Sequence, residues 1–533
     1  MIRITNLQLP LDHDEQALSQ AILTRLSIQA DELLDFVIHR RGYDARKKSK
    51  IVLIYTLDVN TTQNEQLLAT FANDQLIKVS PDMSYKFVAQ APAVVEDRPI
   101  VIGFGPCGLL IGLVLAQMGY KPIILERGAA VRQRTKDTFG FWRKKVLNTE
   151  SNVQFGEGGA GTFSDGKLYS QVKDPKHYSR KVLNEFVEAG APEEILFVSK
   201  PHIGTFRLVS MVEKMRATIE SLGGEIRFDT RVDDIHLESG QITGVSLADG
   251  TELKSRHIAL AVGHSARDTF KMLFDKKVYI EAKPFSIGFR IEHPQSQIDK
   301  ARFGAHAGNE ILGAADYKLV HHCDNGRSVY SFCMCPGGTV VAATSEEHQV
   351  VTNGMSQYSR AERNANSAIV VGIDPSDYPG DALAGIELQR QLERKAYVMG
   401  GENYDAPAQT VGDFLKGKPS QALGKVESSF KPGIKLTDLS DALPDYCIDA
   451  IREAIPVFER KVKGFALADA LMTGVETRTS APICIKRGTD LQSINTQGLY
   501  PAGEGAGYAG GIMSAAIDGI KIAEAMALSM NNP

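Results

Sequence analysis

The chain contains 533 residues, of which 43% are hydrophobic and 23% are charged. This length predicts about three domains, and the composition is that of a soluble globular protein. The formal net charge is −4, which excludes a general electrostatic attraction to nucleic acid or to an anionic membrane. Any site for a polyanion is therefore expected to be local.

The cysteine content and the N-terminal sequence bear on location. The six cysteines are sparse for this length and fit no disulfide framework, which indicates a reducing compartment. Acidic residues stand near the N-terminus, where a signal peptide requires an apolar core. Residues 99–120 carry no charge, but the GFGPCG within them favours a strand, a tight turn and a buried helix over a membrane span. We therefore expect a cytoplasmic protein without a membrane segment.

The apolar pattern of residues 1–95 predicts a small separate domain. Its expected order of elements is βαββαβ, the ferredoxin-like pattern, and it carries no catalytic motif. The basic run at residues 40–50 is able to contact phosphates, although a solvated hairpin loop is the simpler interpretation. RNA contact through this domain is the alternative functional hypothesis.

A dinucleotide-binding pattern follows a linker rich in proline and alanine. An apolar strand leads into GFGPCG, an apolar helix follows, and a second strand ends at Glu126. In this pattern the first glycine permits the turn, the second lets the backbone approach the pyrophosphate, and the third lets helix and strand pack closely. A carboxylate at the end of the second strand accepts the ribose hydroxyls. The predicted cofactor-binding residues here are Gly103, Gly105, Pro106, Gly108, Glu126 and Arg127.

The stretch VQFGEGGAGTFSDGKLYS, residues 153–170, contains both GxGxxG and GxxxxGK spacings. A phosphate-binding P-loop needs a buried strand before it and a Ser or Thr after the lysine, but Leu168 follows Lys167. A second dinucleotide turn is also excluded, because the preceding segment is short and polar and no ribose carboxylate follows. We expect a flexible glycine loop, either close to a cofactor or without a cofactor role.

The later elements resemble the FAD domain of the glutathione-reductase type. The resemblance rests on a hairpin beginning at Val232, on the turn Ala261-Val262-Gly263, and on the C-terminal GLYPAGEGAGYAGGI before a helix. It implies that adenine lies near the Val232 backbone and that the acidic residue after Gly503 holds the ribityl hydroxyls. It also implies that the N-terminal end of the last helix faces the flavin pyrimidine. The residues implied are Val232, Gly263, Gly503, Glu504, Gly510, Gly511 and Ile512.

Five motifs together resemble the FAD-dependent dehydrogenases described as NAD(FAD)-utilising, relatives of the fumarate-reductase and geranylgeranyl-reductase type flavoproteins. The motifs are GFGPCG, GEGGAGTFSDGKL, FCMCPGG, GVETRTSAP and GLYPAGEGAGYAGGI. The resemblance covers most of residues 96–533. It implies an FAD-dependent oxidoreductase of a small molecule. No second dinucleotide fold is evident, so either NAD(P)H binds transiently at the flavin as the electron donor or another donor reduces it. The resemblance also places the glycine loop against the isoalloxazine through Gly161, Thr162, Ser164, Gly166 and Lys167.

These observations predict an α/β protein with a split Rossmann-like FAD domain. The expected units are a ferredoxin-like domain at 1–95, the FAD domain at 96–275 and 481–533, and an inserted α+β substrate domain at 276–480. Substrate and oligomeric state are left open.

Four residues are candidates for catalysis. Cys333 and Cys335 are a redox dithiol beside the flavin, two residues of a packed hairpin, or, least favoured, part of a metal site with the nearby His-His-Cys segment. A CxC pair on a strand points both thiols to one face, which strains a disulfide. Glu476 and Arg478 are candidates for proton transfer and for binding a substrate carboxylate, and a structural ion pair at the domain seam is the alternative.

Overall fold

The computed structural model describes residues 1–531. The N-terminal part is an antiparallel sheet with two helices, and its strands lie in the order β2-β3-β1-β4. Alternate residues of its strands point into a core, as the period of two in their hydrophobicity requires. The elements are β1 (Ile2–Pro10), α1 (Gln16–Leu26), β2 (Leu33–Asp44), β3 (Val52–Thr61), α2 (Asn64–Thr70) and β4 (Ile77–Val79).

This N-terminal unit does not stand apart from the rest of the molecule. Its buried side chains belong to the same hydrophobic cluster as those of residues 285–475, and the ring of Tyr43 packs edge-on against Phe303 at 5.7 Å. Strand β2 also exchanges backbone hydrogen bonds with a distant segment, from Arg41 N to Phe197 O at 2.6 Å and from Ser199 N to Arg41 O at 2.8 Å. The expectation of a separate domain is wrong in this respect, because its core is shared.

A parallel sheet follows, with helices and a small antiparallel sheet around it. Its three central strands are short, apolar and fully buried because both faces are covered. The elements in order are β5 (Ile100–Ile102), α3 (Pro106–Gln117), β6 (Ile123–Leu125), α4 (Val131–Lys144), α5 (Tyr178–Glu188), α6 (Thr205–Ser221), β7 (Glu225–Arg227), β8 (Val232–Glu238), β9 (Gln241–Leu247), β10 (Glu252–Lys254), β11 (Ile258–Leu260) and α7 (Arg267–Asp275).

The chain then leaves this layer and forms a second, mostly antiparallel sheet of eight strands before it returns. Its elements are β12 (Ile280–Ala282), β13 (Phe285–Pro294), α8 (Gln295–Phe303), β14 (Val320–His322), β15 (Ser328–Ala342), β16 (Thr352–Ser356), β17 (Asn364–Ile373), α9 (Ala384–Gly400), β18 (Ala406–Thr410), α10 (Val411–Leu415), β19 (Ile434–Leu436), α11 (Asp445–Lys461) and β20 (Leu471–Glu476). Strand β12 lies outside this sheet.

The C-terminal segment completes the first layer through β21 (Ile483–Ile485), β22 (Leu499–Pro501) and α12 (Ile512–Asn531). Strand β21 pairs with β12 at the junction of the two layers. The parallel sheet has the order β22-β11-β5-β6-β7, and α3 and α12 pack together in one hydrophobic cluster. Within residues 1–531, no helix combines the length and the apolar character needed to cross a membrane.

Candidate cofactor and active site

A cavity of about 1100 Å³ opens at the carboxyl ends of the parallel strands, where open α/β sheets bind their ligands. It reaches from the first layer to the inserted sheet. Most of the predicted cofactor-binding residues contribute to its wall. Those residues are Gly103, Gly105, Pro106, Glu126, Arg127, Gly161, Ser164, Gly166, Lys167, Val232, Gly263, Glu504, Gly510, Gly511 and Ile512.

Three predicted residues, Gly108, Thr162 and Gly503, do not line the cavity. A Cβ atom on Gly108 would lie 1.9 Å from the carbonyl oxygen of Gly103, so this glycine permits close packing of α3 on its strand. The hydroxyl of buried Thr162 bonds the Glu157 carbonyl oxygen at 3.5 Å. Direct cofactor contact through the side chain of Thr162 is therefore not supported.

The dinucleotide turn has the local geometry that its sequence requires. Gly103 has a φ of 98°, and an added Cβ atom would lie 2.4 Å from Ala261 O. Helix α3 begins at Pro106 without a side-chain cap at Gly105. Its first N–H groups and the positive end of its dipole are therefore available to an anion in the cavity.

Glu126 connects the two glycine-rich segments. Its buried carboxylate accepts hydrogen bonds from the backbone N–H groups of Phe104 at 2.8 Å, Gly128 at 2.9 Å and Gly156 at 2.9 Å. These bonds orient a carboxylate that also lines the cavity. Arg127 beside it pairs with Glu150 at 2.8 Å.

The glycine loop is packed and tied by hydrogen bonds, which differs from the flexible loop that the sequence predicts. The guanidinium of fully buried Arg134 donates to backbone carbonyl oxygens along it. The acceptors are Asn152, Val153, Gly156, Glu157 and Gly159.

Two polar side chains of this loop reach the cavity wall. Ser164 donates its hydroxyl to Gly161 O at 2.6 Å. Lys167 pairs with Asp165 at 3.1 Å and donates to Met334 O. The loop therefore places one ammonium group between the first layer and the inserted sheet.

The C-terminal motif lines the opposite side of the cavity. An added Cβ atom on Gly510 or Gly511 would meet no atom within 4 Å, so the backbone before α12 faces open space. Burial raises the pKa of Glu504 to about 7, although Lys283 opposes the shift. Gly503 instead donates its N–H to Asp518 at 2.8 Å, so it supports the turn from behind.

The CxC pair does not follow the alternation of a regular strand. The pairing of β15 shifts register between Phe332 and Cys335, and Cys333 has a φ of 43°. Cys333 therefore lines the cavity, whereas Cys335 is buried behind it. The expectation that both thiols point to one face of a strand is wrong, because the bulge interrupts the pleat.

The two thiols differ in their electrostatics. A hydrogen bond with Cys335 and the charges of Lys167 and Arg290 lower the pKa of Cys333, against the effect of burial. The same hydrogen bond and burial raise the pKa of Cys335. Arg290 approaches Cys335 Sγ at 3.4 Å and donates to Cys333 O at 2.6 Å. Of the two thiols, Cys333 therefore loses its proton at the lower pH.

Glu476 lies beside this group at the end of β20. Its carboxylate pairs with Arg290 at 3.0 Å and accepts from the Thr352 hydroxyl at 3.2 Å. Burial raises the pKa of Glu476 to about 7 in spite of the arginine. The cavity wall thus contains a carboxyl group that exchanges a proton near neutral pH.

Arg478 and Glu476 do not pair with each other. The guanidinium of Arg478 binds buried Glu393 at 2.7 Å and also donates to Ser265 and Ser345. Its Nε and both terminal nitrogens are therefore engaged within the protein, although the residue reaches the cavity wall. This geometry favours the structural alternative for Arg478 over the binding of a substrate carboxylate.

The His-His-Cys segment does not join the CxC pair. The ligand atoms of His321, Cys323 and Glu453 lie within 4.8 Å of one another, and His321 Nε2 is 2.7 Å from the Glu453 carboxylate. His321 and Cys323, the expected partners of Cys333 and Cys335 in a metal site, therefore form a separate group with Glu453.

Sequence reasoning missed Arg290, Arg134 and Asp518. Arg290 and Asp518 each stand within an otherwise apolar segment, FSIGFRI and IMSAAIDGI. A charge in such a segment is rarely buried without a partner, and this signal was available. Arg134 lies in a polar helix, so nothing in its local sequence marks it.

Comparison with known proteins bears on the cofactor and on the family of the chain. Residues 284–479 match the family model described as FAD-dependent protein, C-terminal domain-like. Residues 1–60 match a model of a domain of unknown function. The chain is 45% identical over 525 residues to an uncharacterized protein of Clostridium beijerinckii, covering 98% of both chains. The chain belongs to the family of that protein. The cofactor of the present chain is FAD.

Solved structures are similar at a lower level. They include the halogenase PltM (TM-score 0.31, 12% identity, 58% of this chain and 57% of that one). They also include the brominase Bmp2 (0.37, 12%, 82% and 80%) and a geranylgeranyl bacteriochlorophyll reductase-like protein of Thermoplasma acidophilum (0.37, 12%, 82% and 79%). The match spans less than two thirds of the halogenase. At these TM-scores the similarities carry no conclusion about this chain.

The residues around the cavity fit FAD. Two helix N-termini, those of α3 and α12, open into one space, and each is suited to negative charge. Gly263, Gly510 and Gly511 leave room where an added Cβ atom would meet nothing within 4 Å. Glu126 at one end and Glu504 at the other provide acceptors for hydroxyl groups.

Proposed function

We propose that the protein is an FAD-dependent oxidoreductase of a small molecule that enters between the FAD domain and the inserted sheet. The observation that carries this proposal is the single cavity in which the dinucleotide turn meets Lys167, Cys333 and Glu476. Bound FAD would supply the transfer of a hydride or of electrons. The protein would supply the binding surface and the groups that hold protons.

The roles proposed for these groups follow from their environment. Glu476 holds or releases a proton at its carboxylate, because its pKa is raised to about 7 by burial. Cys333 places negative charge at its sulfur, and Arg290 holds both groups in position. The Lys167 ammonium stabilises negative charge that develops in the cavity.

The source of electrons is part of the same proposal. The structure describes one parallel sheet with a glycine-rich turn of the dinucleotide type within residues 1–531. NAD(P)H would therefore bind transiently in the cavity rather than in a domain of its own. A dehydrogenase reaction in the cytoplasm is the form that we favour.

An RNA-associated flavoprotein is the weaker hypothesis. Part of the basic segment is engaged within the protein: Arg40 lines the cavity, Arg41 packs its guanidinium 5.4 Å from the Phe197 ring centroid, and Arg46 pairs with Asp44 at 2.6 Å. The remaining lysines of the segment are exposed, but the net charge of −4 gives the chain no general attraction to nucleic acid.

The experiment compares FAD content and anaerobic reduction in the purified protein and in Gly105→Val. A Cβ atom at Gly105 has only ordinary contacts, 3.5 Å from Gly159 Cα, so the variant is expected to fold while its side chain occupies the space of the pyrophosphate. We expect bound FAD in the parent protein, reducible by NADH or NADPH, and at least tenfold less FAD in the variant.

Gly140→Val is the matched control, because a Cβ atom there meets nothing within 4 Å. It should retain FAD. A fully flavinated Gly105→Val protein would contradict the cofactor assignment, and bound FAD that no donor reduces would contradict the oxidoreductase proposal.

A further inference from the structure

The cavity continues beyond the cofactor-binding residues to the N-terminal unit. We call this part the N-terminal arm and define it by His39, Met83, Arg180, Leu183, Ile195 and Phe197, which all line the cavity. None of them belongs to the motifs that indicate FAD. The arm therefore offers space to something other than the cofactor.

The arm is a built feature rather than a gap between loosely placed parts. Strand β2 forms two backbone hydrogen bonds with the segment around Phe197. Helix α5, which carries Arg180, is fixed at its start by Asp174, whose carboxylate accepts from the N–H groups of Tyr178 at 2.9 Å and Ser179 at 2.7 Å. The wall that carries Arg180 is thus held in place from two sides.

Arg180 brings a positive charge into the arm without a direct ion pair to any carboxylate of residues 1–531. Its guanidinium donates to Leu196 O at 3.0 Å and to His39 Nδ1 at 3.0 Å. Burial, with the charges of Arg3 and Arg180, lowers the pKa of His39 to about 4, so this histidine is neutral. Asp58 acts only at longer range, since its carboxylate pairs with Arg3 at 2.7 Å.

Two further cations of the cavity wall are neutralised within the protein, whereas Arg40 and Lys318 in the same wall are exposed to solvent. Lys200 pairs with Asp316 at 2.6 Å, and Lys167 pairs with Asp165 at 3.1 Å. Burial and the charge of Arg3 lower the pKa of Arg180, and Asp58 only partly opposes them, in keeping with the lack of a direct ion pair to Arg180 within residues 1–531. A ligand anion would supply the missing countercharge.

The remaining lining of the arm is apolar. Met83, Leu183, Ile195 and Phe197 share the wall with the guanidinium. A small inorganic anion would leave this apolar surface uncovered, whereas a molecule with an apolar body and one anionic group would cover both.

We propose that the N-terminal arm binds the anionic group of the substrate, and that the substrate is an amphipathic acid whose carboxylate or phosphate pairs with Arg180. This inference rests on the proposed function, because it assigns the molecule that shares the cavity with FAD. It makes the N-terminal unit a part of the substrate site.

The test uses the FAD-containing full chain and three probes of equal chain length: laurate, dodecyl phosphate and dodecanol. Binding is measured by calorimetry and by the change in flavin absorbance. We expect laurate or dodecyl phosphate to bind with an affinity that falls roughly ten- to a hundredfold in Arg180→Ala, the range expected for hydrogen bonds to a charged group. Dodecanol should bind equally to both proteins. If laurate loses more affinity than dodecyl phosphate in Arg180→Ala, the anionic group is a carboxylate; if dodecyl phosphate loses more, it is a phosphate.

Arg180→Gln is the second variant, because it keeps an N–H donor for Leu196 and removes the charge. Arg132→Ala, which removes an exposed arginine paired with Glu213, should bind all probes as the parent does. The inference is overturned if both acids bind no better than dodecanol, or if Arg180→Gln binds them as tightly as the parent. It is also overturned if Arg180→Gln impairs only the use of NADPH relative to NADH, since the anion would then belong to the electron donor.

FAD content and reduction are measured in the same samples. Loss of anion binding with normal FAD reduction supports the inference. If the affinity for the anionic probes does not depend on Arg180 and FAD reduction is normal, only the inference is defeated. If the parent protein contains no reducible FAD, the proposed function is defeated.

Discussion

The backbone conformation of Cys333 determines which of the two thiols lines the cavity wall. The positive φ of Cys333 and the register shift of β15 turn its thiol toward the cavity while Cys335 stays buried. Strand periodicity alone predicts equal exposure for the two residues. The asymmetry in exposure comes from the bulge, and the buried thiol of Cys335 is the one that Arg290 approaches, at 3.4 Å.

Replacement of Cys333 tests whether this thiolate lies against the flavin. We expect the parent protein to show a long-wavelength absorbance band from donation of thiolate charge to oxidised FAD, and Cys333→Ser to lose it. Cys335→Ala is the control and should keep the band but shift its appearance to higher pH, because alanine cannot supply the hydrogen bond that lowers the pKa of Cys333. Identical spectra in all three proteins would remove both cysteines from the list of catalytic residues.

Glu476 should make stability depend on pH. Its pKa is raised from 4.5 to about 7 by burial, so the folded protein holds this proton more tightly than the unfolded chain. The stabilisation is complete below about pH 4.5 and is lost as the pH rises through 7. Relative to Glu476→Gln, the free energy of unfolding should fall by about 3 kcal/mol at most between pH 4.5 and 8, since one pKa unit corresponds to about 1.4 kcal/mol. Denaturant titrations at several pH values measure it, and parallel curves would be evidence against the assigned pKa.

Among the elements, helices α3 and α12 are the ones that we expect to position the cofactor. Both begin at glycine-rich segments, and both are apolar enough to pack against each other behind the parallel sheet. Their N-termini consequently converge on the cavity. The strand–turn–helix pattern of the sequence predicts each helix, but their mutual packing depends on residues far apart in the chain.

Gly108→Ala tests the packing of α3 on its strand. The added methyl group would lie 1.9 Å from Gly103 O, so helix and turn must separate. We expect a loss of about 1–3 kcal/mol in stability, as for other overpacked sites, together with weaker FAD retention. Thermal unfolding and FAD content are the measurements.

Gly140→Ala in α4 is the matched control, since its Cβ atom meets nothing within 4 Å. There the same replacement should leave FAD unchanged and stabilise the helix by about 0.5–1 kcal/mol through its higher helix propensity. Equal effects of the two substitutions would show that the contact at Gly108 is not limiting.

At the scale of the whole molecule, a buried ion network joins the two layers. Glu393 of α9 binds Arg267 of α7 at 2.8 Å and Arg478, just after β20, at 2.7 Å. Burial opposes ionisation of Glu393, but the two arginines hold its pKa well below the usual range. The network thus fixes the inserted sheet over the FAD layer at the point where the chain returns.

Glu393→Gln should destabilise the protein by about 3–5 kcal/mol, because it leaves two buried arginines without their shared countercharge. Glu387→Gln on the same helix removes an exposed partner of Arg390 and should cost less than about 1 kcal/mol. Because the pKa of Glu393 is depressed, its stabilising effect is present above about pH 4.5 and declines as the pH falls below it. Denaturation midpoints at neutral and acidic pH measure both effects. Equal midpoints for the two variants would be evidence that the ion network does not hold the two layers together.

The local features of the protein could be predicted from its sequence. The GFGPCG turn, the apolar strands beside it and Glu126 follow from the steric demands of a tight turn and from period and length. The order βαββαβ at the N-terminus and the exclusion of a P-loop followed in the same way. The FAD assignment came from a resemblance, and the family match agrees with it.

Which distant residues share the cavity could not be predicted from the sequence, because it depends on how the sheets and helices pack together. Arg290, Glu476 and Cys333 lie on separate strands, and Arg180 meets His39 across 141 positions of the chain. The bulge that separates the two thiols, the burial that raises the pKa of Glu476 and the shared core of the N-terminal unit arise from packing between such segments. Periodicity reports which face of an element is buried, but it contains no information about what covers that face.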